Sequence, residues 1–550
     1  MSSLFHTRSR ALICLAALQF LAATGGNVQA QPSTLGKIEF PTSGSPQAQT
    51  CFLRGVAALH SFWYEEAAAQ FRECTQAEPD FMMGYWGEAM THNHAIWAEQ
   101  DATAARKVLA KIQVTPKLTG REQAYISAVQ VLYGAGDKLS RDIAYSKAMQ
   151  KIYNDDPHDL EAACFYALSL LGTVRPGDKS FSRQMRAGAI AMDVFQKNPN
   201  HPGAAHYIIH AFDDPEHAIL ALPAARRYAQ IAPDAHHARH MPAHIFLQLG
   251  MWPEEIASNI SAWQASVNWV ERRGLPLTLR DYHSLYWELY GRLQQGQYSD
   301  AEKLLEQKRK DMADTQEKAN LYAAQMAAAY MIETQRWDLA GRIFLMVGIQ
   351  DAVISPGGRP GGEHAAHAPG PSDAMMAFAA GYAAAATGSP GLQSCIAALD
   401  AIAKGITAPE MRHRARQVEI QKLELQGLDA SRTRNHEVAI ETLQKAVALE
   451  ETNSPPSGPP DAIKPPHELL AEVLLAAGRN QEAAQMFAVS LARQPNRARS
   501  VLGSARAAHA MGDAEVAAQA YADFLRLWRE ADLNLPELAE ARKFAQSASD

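Results

Sequence analysis

KPPHELLAEVLLAAGRNQEAAQMFAVSLARQP, residues 464–495, decides the fold. It is rich in helix-forming Ala, Leu, Glu and Gln, and Gly478 divides it in two, as a turn between two helices would. The same landmarks return further on: Gly478, Ala483 and Phe487 recur as Gly512, Ala517 and Tyr521, each displaced by 34 residues. A fixed period of that length marks a helix-turn-helix unit that buries its apolar stripe by stacking on copies of itself. Runs of alternating β-branched residues are scarce elsewhere, so the chain reads as all-α.

The 34-residue unit resembles the tetratricopeptide repeat (TPR) family, whose motif has small residues at positions 8, 20 and 27, an aromatic at 24 and proline at 32. From Lys464 these positions hold Ala471, Ala483, Ser490, Phe487 and Pro495, with Gly478 at position 15. A unit starting at Ala48 matches through Gly55, Ala67, Phe71, Cys74 and Pro79, and further matches fall at Gly296, Ala301 and Leu305 and around Ala340 and Phe344. The resemblance implies a helical solenoid, an α-α superhelix with a concave binding surface, of around eight or nine units.

Several segments interrupt the array. Arg8 and Arg10 precede the apolar run ALICLAALQFLAA and the small-residue site Val28-Gln29-Ala30, which predicts a signal peptide over residues 1–30 and a periplasmic or secreted product. No later run is long enough to predict a membrane span. The stretch 354–373, with its many Gly and Pro and with His364 and His367, is expected to be a loop dividing a solenoid over 31–353 from a second over 374–550. Residues 172–184 read as a long loop inside a hairpin, and ETNSPPSGPPDAIKPP (451–466) as a polyproline-like lead-in to the last strong repeats. At 550 residues and a net charge of −7, with no long basic run, nothing favours nucleic acid.

Histidine is where the chain carries chemistry. HPGAAHYIIHAFDD (201–214) and ARHMPAHIFLQLG (238–250) each contain His-x-x-x-His, the second pair 34 residues after the first. With units starting at Pro202 and His236, His206 and His240 take position 5, and His210 and His244 take position 9. These positions point away from the helix-pair core. In TPR proteins that face lines the groove, so the resemblance implies that both pairs look into it.

Residues four apart on a helix have Cβ atoms about 6 Å apart, and packed helices run about 8–10 Å apart. Imidazoles from two adjacent helices therefore converge closely enough to hold a divalent transition metal such as zinc, copper or iron, with Asp213 and His237 as further ligands. Two other readings stay open, a metal-free ligand groove and a structural hydrogen-bond network. Pro242 lies between His240 and His244, so a kink or helix start is expected there. The wider pattern HPGAAHYIIHAFDDP and APDAHHARHMPAHIF resembles a set of bacterial exported TPR proteins and, more distantly, tetratricopeptide repeat protein thirty-eight.

The same register places Glu468 and Glu472 opposite Arg499 and Arg506 as candidate groove residues for a polar ligand or peptide, and His92 and His94 as an extension of the histidine wall. The Glu of His-Glu-x-x-His is absent from HYIIH, and no nucleophile elbow, phosphate loop or dinucleotide fingerprint occurs. The expected function is partner protein or peptide binding in the groove, with a histidine-held metal; the alternative is a metal-dependent hydrolase or oxidase with a His/Asp site. Cys51 and Cys74, at positions 4 and 27 of one unit, are expected to form a disulfide across the hairpin.

Overall fold

The 34-residue landmarks become turns between paired helices. Gly478 and Gly512 sit at φ +78° and +79° in the breaks between Pro466–Ala476 and Asn480–Arg493 and between Ala498–Ala510 and Ala514–Leu527. Only glycine takes that left-handed conformation without a Cβ penalty. The computed structural model describes residues 34–175, 177–315, 320–346, 371–408 and 411–547. The signal-peptide stretch 1–30 and most of the 354–373 segment, with His364 and His367, lie outside them; Pro371–Asp373 begin the helix Pro371–Thr387.

Within the described residues the fold is an all-α tetratricopeptide-type helical solenoid. The only sheet among them is a two-residue ribbon, Asn93–His94 against Glu99–Gln100. Successive helices pair, from Pro46–His60 with Tyr64–Ala77 to Ala498–Ala510 with Ala514–Leu527, and Pro536–Ser547 closes the row. With His236–His240 and Pro242–Gln248 taken as one broken arm, the described residues hold twelve such pairs, more than the eight or nine expected, because short and degenerate arms lack the motif residues. The motif explains the packing: Gly55 has no Cβ, and one placed there would lie 2.7 Å from the Phe71 ring of the partner helix. Phe71 is fully buried, and truncating such a ring costs about 3–5 kcal/mol.

Two large apolar cores run along Thr34–Asp550, which forms one compact unit. The first extends from Leu35 to Val270 and the second from Ala243 to Ala541, so they adjoin around the broken arm and the helix Trp252–Arg273. The doubled histidines lie at this junction. The loop expected over 172–184 ends three residues sooner, since the helix Ser182–Lys197 begins at 182; its described residues follow Leu160–Leu171 and meet the proline-rich segment: Gly177 N–H donates to Ser454 Oγ at 3.0 Å, and Lys179 Nζ donates to the Glu451 carbonyl. Farther along, the Pro456 carbonyl accepts from Gln248 Nε2 at 2.8 Å, and a Cβ on Gly458 would stand 2.5 Å from the Trp287 indole. The segment thus packs against residues that flank the histidines.

The pairing of Cys51 with Cys74 is not made in the structure, where both are buried free thiols. Each donates within its own helix, Cys51 Sγ to the Ala48 carbonyl at 3.3 Å and Cys74 Sγ to the Gln70 carbonyl at 3.1 Å, and behaves as a small apolar side chain.

Candidate metal centre

Three helical arms build the histidine cluster. Pro202–Ala211 carries His206 and His210, the broken arm carries His237, His240 and His244, and Tyr282–Gln294 carries His283. Met241 separates the two pieces of the broken arm, but its φ −51°, ψ −35° is helical, so the axis continues past Pro242 and His240 and His244 stay on one side. Their ring centroids are 4.9 Å apart.

The six rings fall into two triads, His206/His210/His237 and His240/His244/His283. In each, one ligand atom per residue lies within 4.8 Å of the other two. His206 and His240 are fully buried and His244 nearly so, whereas His210, His237 and His283 are half-buried. The register reading had all four paired imidazoles facing an open groove; instead the position-5 rings pass into the packing between arms.

Hydrogen bonds on the outer side of the rings fix which nitrogen is free. His206 Nδ1 donates to the His60 carbonyl at 2.7 Å, which leaves its Nε2 as a lone pair 3.2 Å from His237 Nε2. His240 Nδ1 donates to Asn259 Oδ1 at 2.7 Å; the Asn259 amide is oriented by giving its own hydrogens to the Glu255 carbonyl and carboxyl. His244 Nδ1 donates to Asp213 Oδ2 at 2.7 Å, and Gln248 Nε2 donates to Asp213 Oδ1 at 3.2 Å. Both Nδ1 hydrogens of the second pair are therefore committed outward. His240 Nε2 and His244 Nε2 face each other at 3.1 Å as two lone pairs.

Burial also disfavours the charged form of five of these rings. It lowers His206 to about 3 and His283 to about 4, and it holds His210, His237 and His240 well below the ordinary histidine value, with neighbouring imidazoles pushing the same way. With both Nδ1 atoms bonded outward, His240 Nε2 and His244 Nε2 are placed to share one cation between them. With metal–nitrogen bonds of about 2.0–2.1 Å, donors 3.1–3.2 Å apart subtend roughly 100° at the ion, close to tetrahedral. His210 Nε2 is a further buried nitrogen without a hydrogen-bond partner.

Aromatic rings wall the cluster. Trp287 packs on His240, His244 and His283 with centroids 4.8, 4.4 and 5.3 Å away. Phe62 covers the other triad, 4.3 Å from His206, 5.6 Å from His210 and 5.7 Å from His237. Phe62 occupies position 15 of its repeat, where Gly478 stands in the C-terminal unit, and holds φ +53°. A bulky residue in that region stores of order 1–3 kcal/mol of strain, which identifies a place where the ring matters more than the turn. Trp97, 49% exposed, stands 6.2 Å from His237, and His94 stacks on Tyr64 at 4.0 Å. His94 thus borders the mouth; His92 lies close by and touches neither triad among the contacts described.

A third cluster, His60, Glu161 and His201, is closed on itself. Glu161 accepts from His60 Nε2 at 2.7 Å and His201 Nε2 at 3.1 Å, Tyr207 Oη lies 2.8 Å from His60 Nδ1, and the Ala204 N–H donates to His201 Nδ1. It supports the first triad from behind through the His60 carbonyl. Of the other groove candidates, Glu468 is fully buried and clamped by Lys464 and Arg497, Lys464 Nζ also reaches Glu472 at 2.7 Å, Arg499 donates to the Glu333 carbonyl, and Arg506 pairs with Glu540 at 2.7 Å. These four side chains are taken up by internal pairs.

Sequence reasoning missed His283, Asn259, Phe62 and Trp287. His236 and Tyr282, the first residues of successive arms, are 46 residues apart, and that departure from 34 hid His283. Phe62 did leave a signal, an aromatic at a glycine position.

No protein-family model and no curated protein matches the chain. Among solved structures, it is similar to yeast Tom70 at 11% identity, covering 92% of this chain and 89% of that one with a TM-score of 0.28. It is similar to a human IFIT1 dimer with m7Gppp-AAAA at 13% identity, 89% and 91% coverage and a TM-score of 0.32, and to the TPR domain of P58(IPK) at 13%, 71% and 98%, and 0.22. None of these likenesses bears on the histidines, which stand on this chain's own geometry.

Proposed function

We propose that this chain is an exported helical-repeat protein whose working part is a histidine-held transition-metal centre where its two apolar cores adjoin, and that a partner protein or peptide docks at the mouth of that centre. The observation that carries the reading is the 3.1 Å approach of His240 Nε2 and His244 Nε2 with both Nδ1 hydrogens committed to Asn259 and Asp213. Buried lone pairs held face to face are unfavourable unless a cation lies between them. The outward bonds from imidazole to carboxylate, amide and backbone carbonyl are those that orient metal-bound histidines elsewhere. Neutral imidazoles suit zinc, copper, iron or nickel. Docking is supported by the exposed Trp97 beside His237.

A second reading, a metal-dependent hydrolase or oxidase, is favoured by one feature: three imidazoles per ion leave a coordination position open, as catalytic sites do. Asp213, bonded through His244, then orients a ligand and does not itself serve as the base. The test is metal analysis of protein purified without a histidine tag, alongside His244→Ala and His210→Ala. Bound zinc, copper or iron that falls in the variants, with helical circular dichroism retained, is the expected result. Metal-free protein that also refuses added metal, or equal metal in parent and variants, sinks the reading.

A further inference from the structure

We infer that the centre holds two transition-metal ions, one per triad, each bound by the same device supplied by successive repeats. This deepens the proposed function and rests on it.

The device can be read residue by residue. In the first triad a His-x-x-x-His pair on one arm, His206 and His210, is completed by His237, the second residue of the helix that opens the next arm. In the second triad the pair is His240 and His244, and the completing ligand is His283, again the second residue of the next arm's helix, Tyr282–Gln294. The broken arm contributes to both triads, giving His237 backward and His240 and His244 to its own site. One set of four histidines around one ion, which the two spacings alone suggested, is therefore replaced by two sets of three.

Distance separates the sets. Donors to one ion with bonds of about 2.0–2.1 Å stand no more than about 4.2 Å apart. One nitrogen pair in each triad meets that limit, at 3.2 Å for His206 and His237 and 3.1 Å for His240 and His244, and neighbouring ring centroids within the triads are 4.6–5.0 Å apart. Across the boundary the nearest rings are more widely set, with centroids 6.0 Å apart for His210 and His244 and 6.1 Å for His237 and His240. Each triad also has its own outer support, the His60 carbonyl for one and Asn259 and Asp213 for the other, and its own aromatic wall, Phe62 or Trp287. Two ions surrounded only by neutral imidazoles carry uncompensated positive charge, so the ligand that completes them is an anionic oxygen donor such as a carboxylate or phosphate.

The experiment titrates metal-stripped, full-length, untagged protein with cobalt(II), following the visible absorption of the bound ion and counting metal by elemental analysis after gel filtration. His237→Ala and His283→Ala are the variants, because both residues are half-buried and neither holds the outward bonds that lock His206 and His240. The expected result is two ions per parent chain, one in each variant, and neither retained in the double variant, with helical circular dichroism unchanged. One ion per parent chain overturns the pair and leaves the single-metal reading standing. No ion at all overturns both. If His283→Ala still binds two ions, the second triad is wrongly drawn and the inference falls.

Discussion

The buried charged cluster around Arg497 and the buried histidine cluster solve burial in opposite ways. In the C-terminal part Arg497, fully buried, gives hydrogens to both carboxylate oxygens of Glu468, to Glu333 Oε1 at 2.6 Å and to Tyr290 Oη at 2.7 Å, while Lys464 bonds Glu468 and Glu472. Every charge there has an opposite charge beside it. Burial opposes ionisation of Glu468, yet Arg497 and Lys464 hold its carboxyl well below the usual range. The histidine cluster has no such balance: burial disfavours the charged form of five of its rings, the Nε2 atoms of His240 and His244 face one another, and Asp213 is bonded on the outer side. The lesson is that a self-neutralising cluster is complete by itself, whereas the histidine cluster leaves ring nitrogens facing one another, the feature on which the metal proposal rests.

The largest effect that would break this contrast is expected in the C-terminal cluster. Arg497→Met takes the guanidinium from Glu333 Oε1 and leaves Glu468 with Lys464 as its one remaining cation, and should cost about 3–5 kcal/mol in urea unfolding, with metal content unchanged. A loss under about 1 kcal/mol, or a drop in bound metal, would show that the two clusters are not separate in role.

Acid should distinguish them next. A histidine whose folded value lies below its unfolded value binds protons more readily when unfolded, so its contribution is intact above about pH 6.5 and shrinks as pH falls. For His206, lowered to about 3, the loss by about pH 5 is about 2 kcal/mol. Glu468, held low, contributes above the unfolded carboxylate value near 4.5 and loses that only as pH falls further. Metal-stripped protein should therefore lose thermal stability between about pH 7 and pH 5, before the charged cluster is touched. A flat thermal midpoint over that range would contradict the neutral buried imidazoles.

Asp213→Asn sharpens the contrast on the metal side. It keeps the size of the side chain and weakens the orienting bond to His244, so metal affinity should fall about 10- to 100-fold in competition with a chelating dye, with unfolding little changed. Unaltered affinity would place Asp213 in the architecture. Smallest of all, Arg506→Ala removes a half-exposed pair with Glu540 and should change stability by less than about 1 kcal/mol. A larger loss would extend the charged cluster to the end of the solenoid.

Legibility followed the 34-residue register. Where the register held, the sequence located His206, His210, His240 and His244 on equivalent arm positions and placed His237 and Asp213 beside them. Where an arm lengthened, as in the 22-residue helix Trp252–Arg273, the register slipped and His283 was lost from view. Position alone places Glu468 and Arg499 in a groove because it does not report what a neighbouring arm brings up against a charge; here the start of Ala498–Ala510 brings Arg497 to Glu468, and Leu321–Thr334 brings Glu333 to Arg499.

The sequence by itself determined the repeat, the helical class and the recurrence of paired histidines, because periodicity, glycine turns and small-to-aromatic contacts are local and repeat along the chain. Tertiary structure alone decided that the histidines form two triads, that Phe62 and Trp287 wall them, and which ring nitrogens are free. Those depend on hydrogen bonds to residues far away in the chain, such as the 146-residue step from His206 to the His60 carbonyl, and no local pattern encodes which side of an imidazole such a partner will meet.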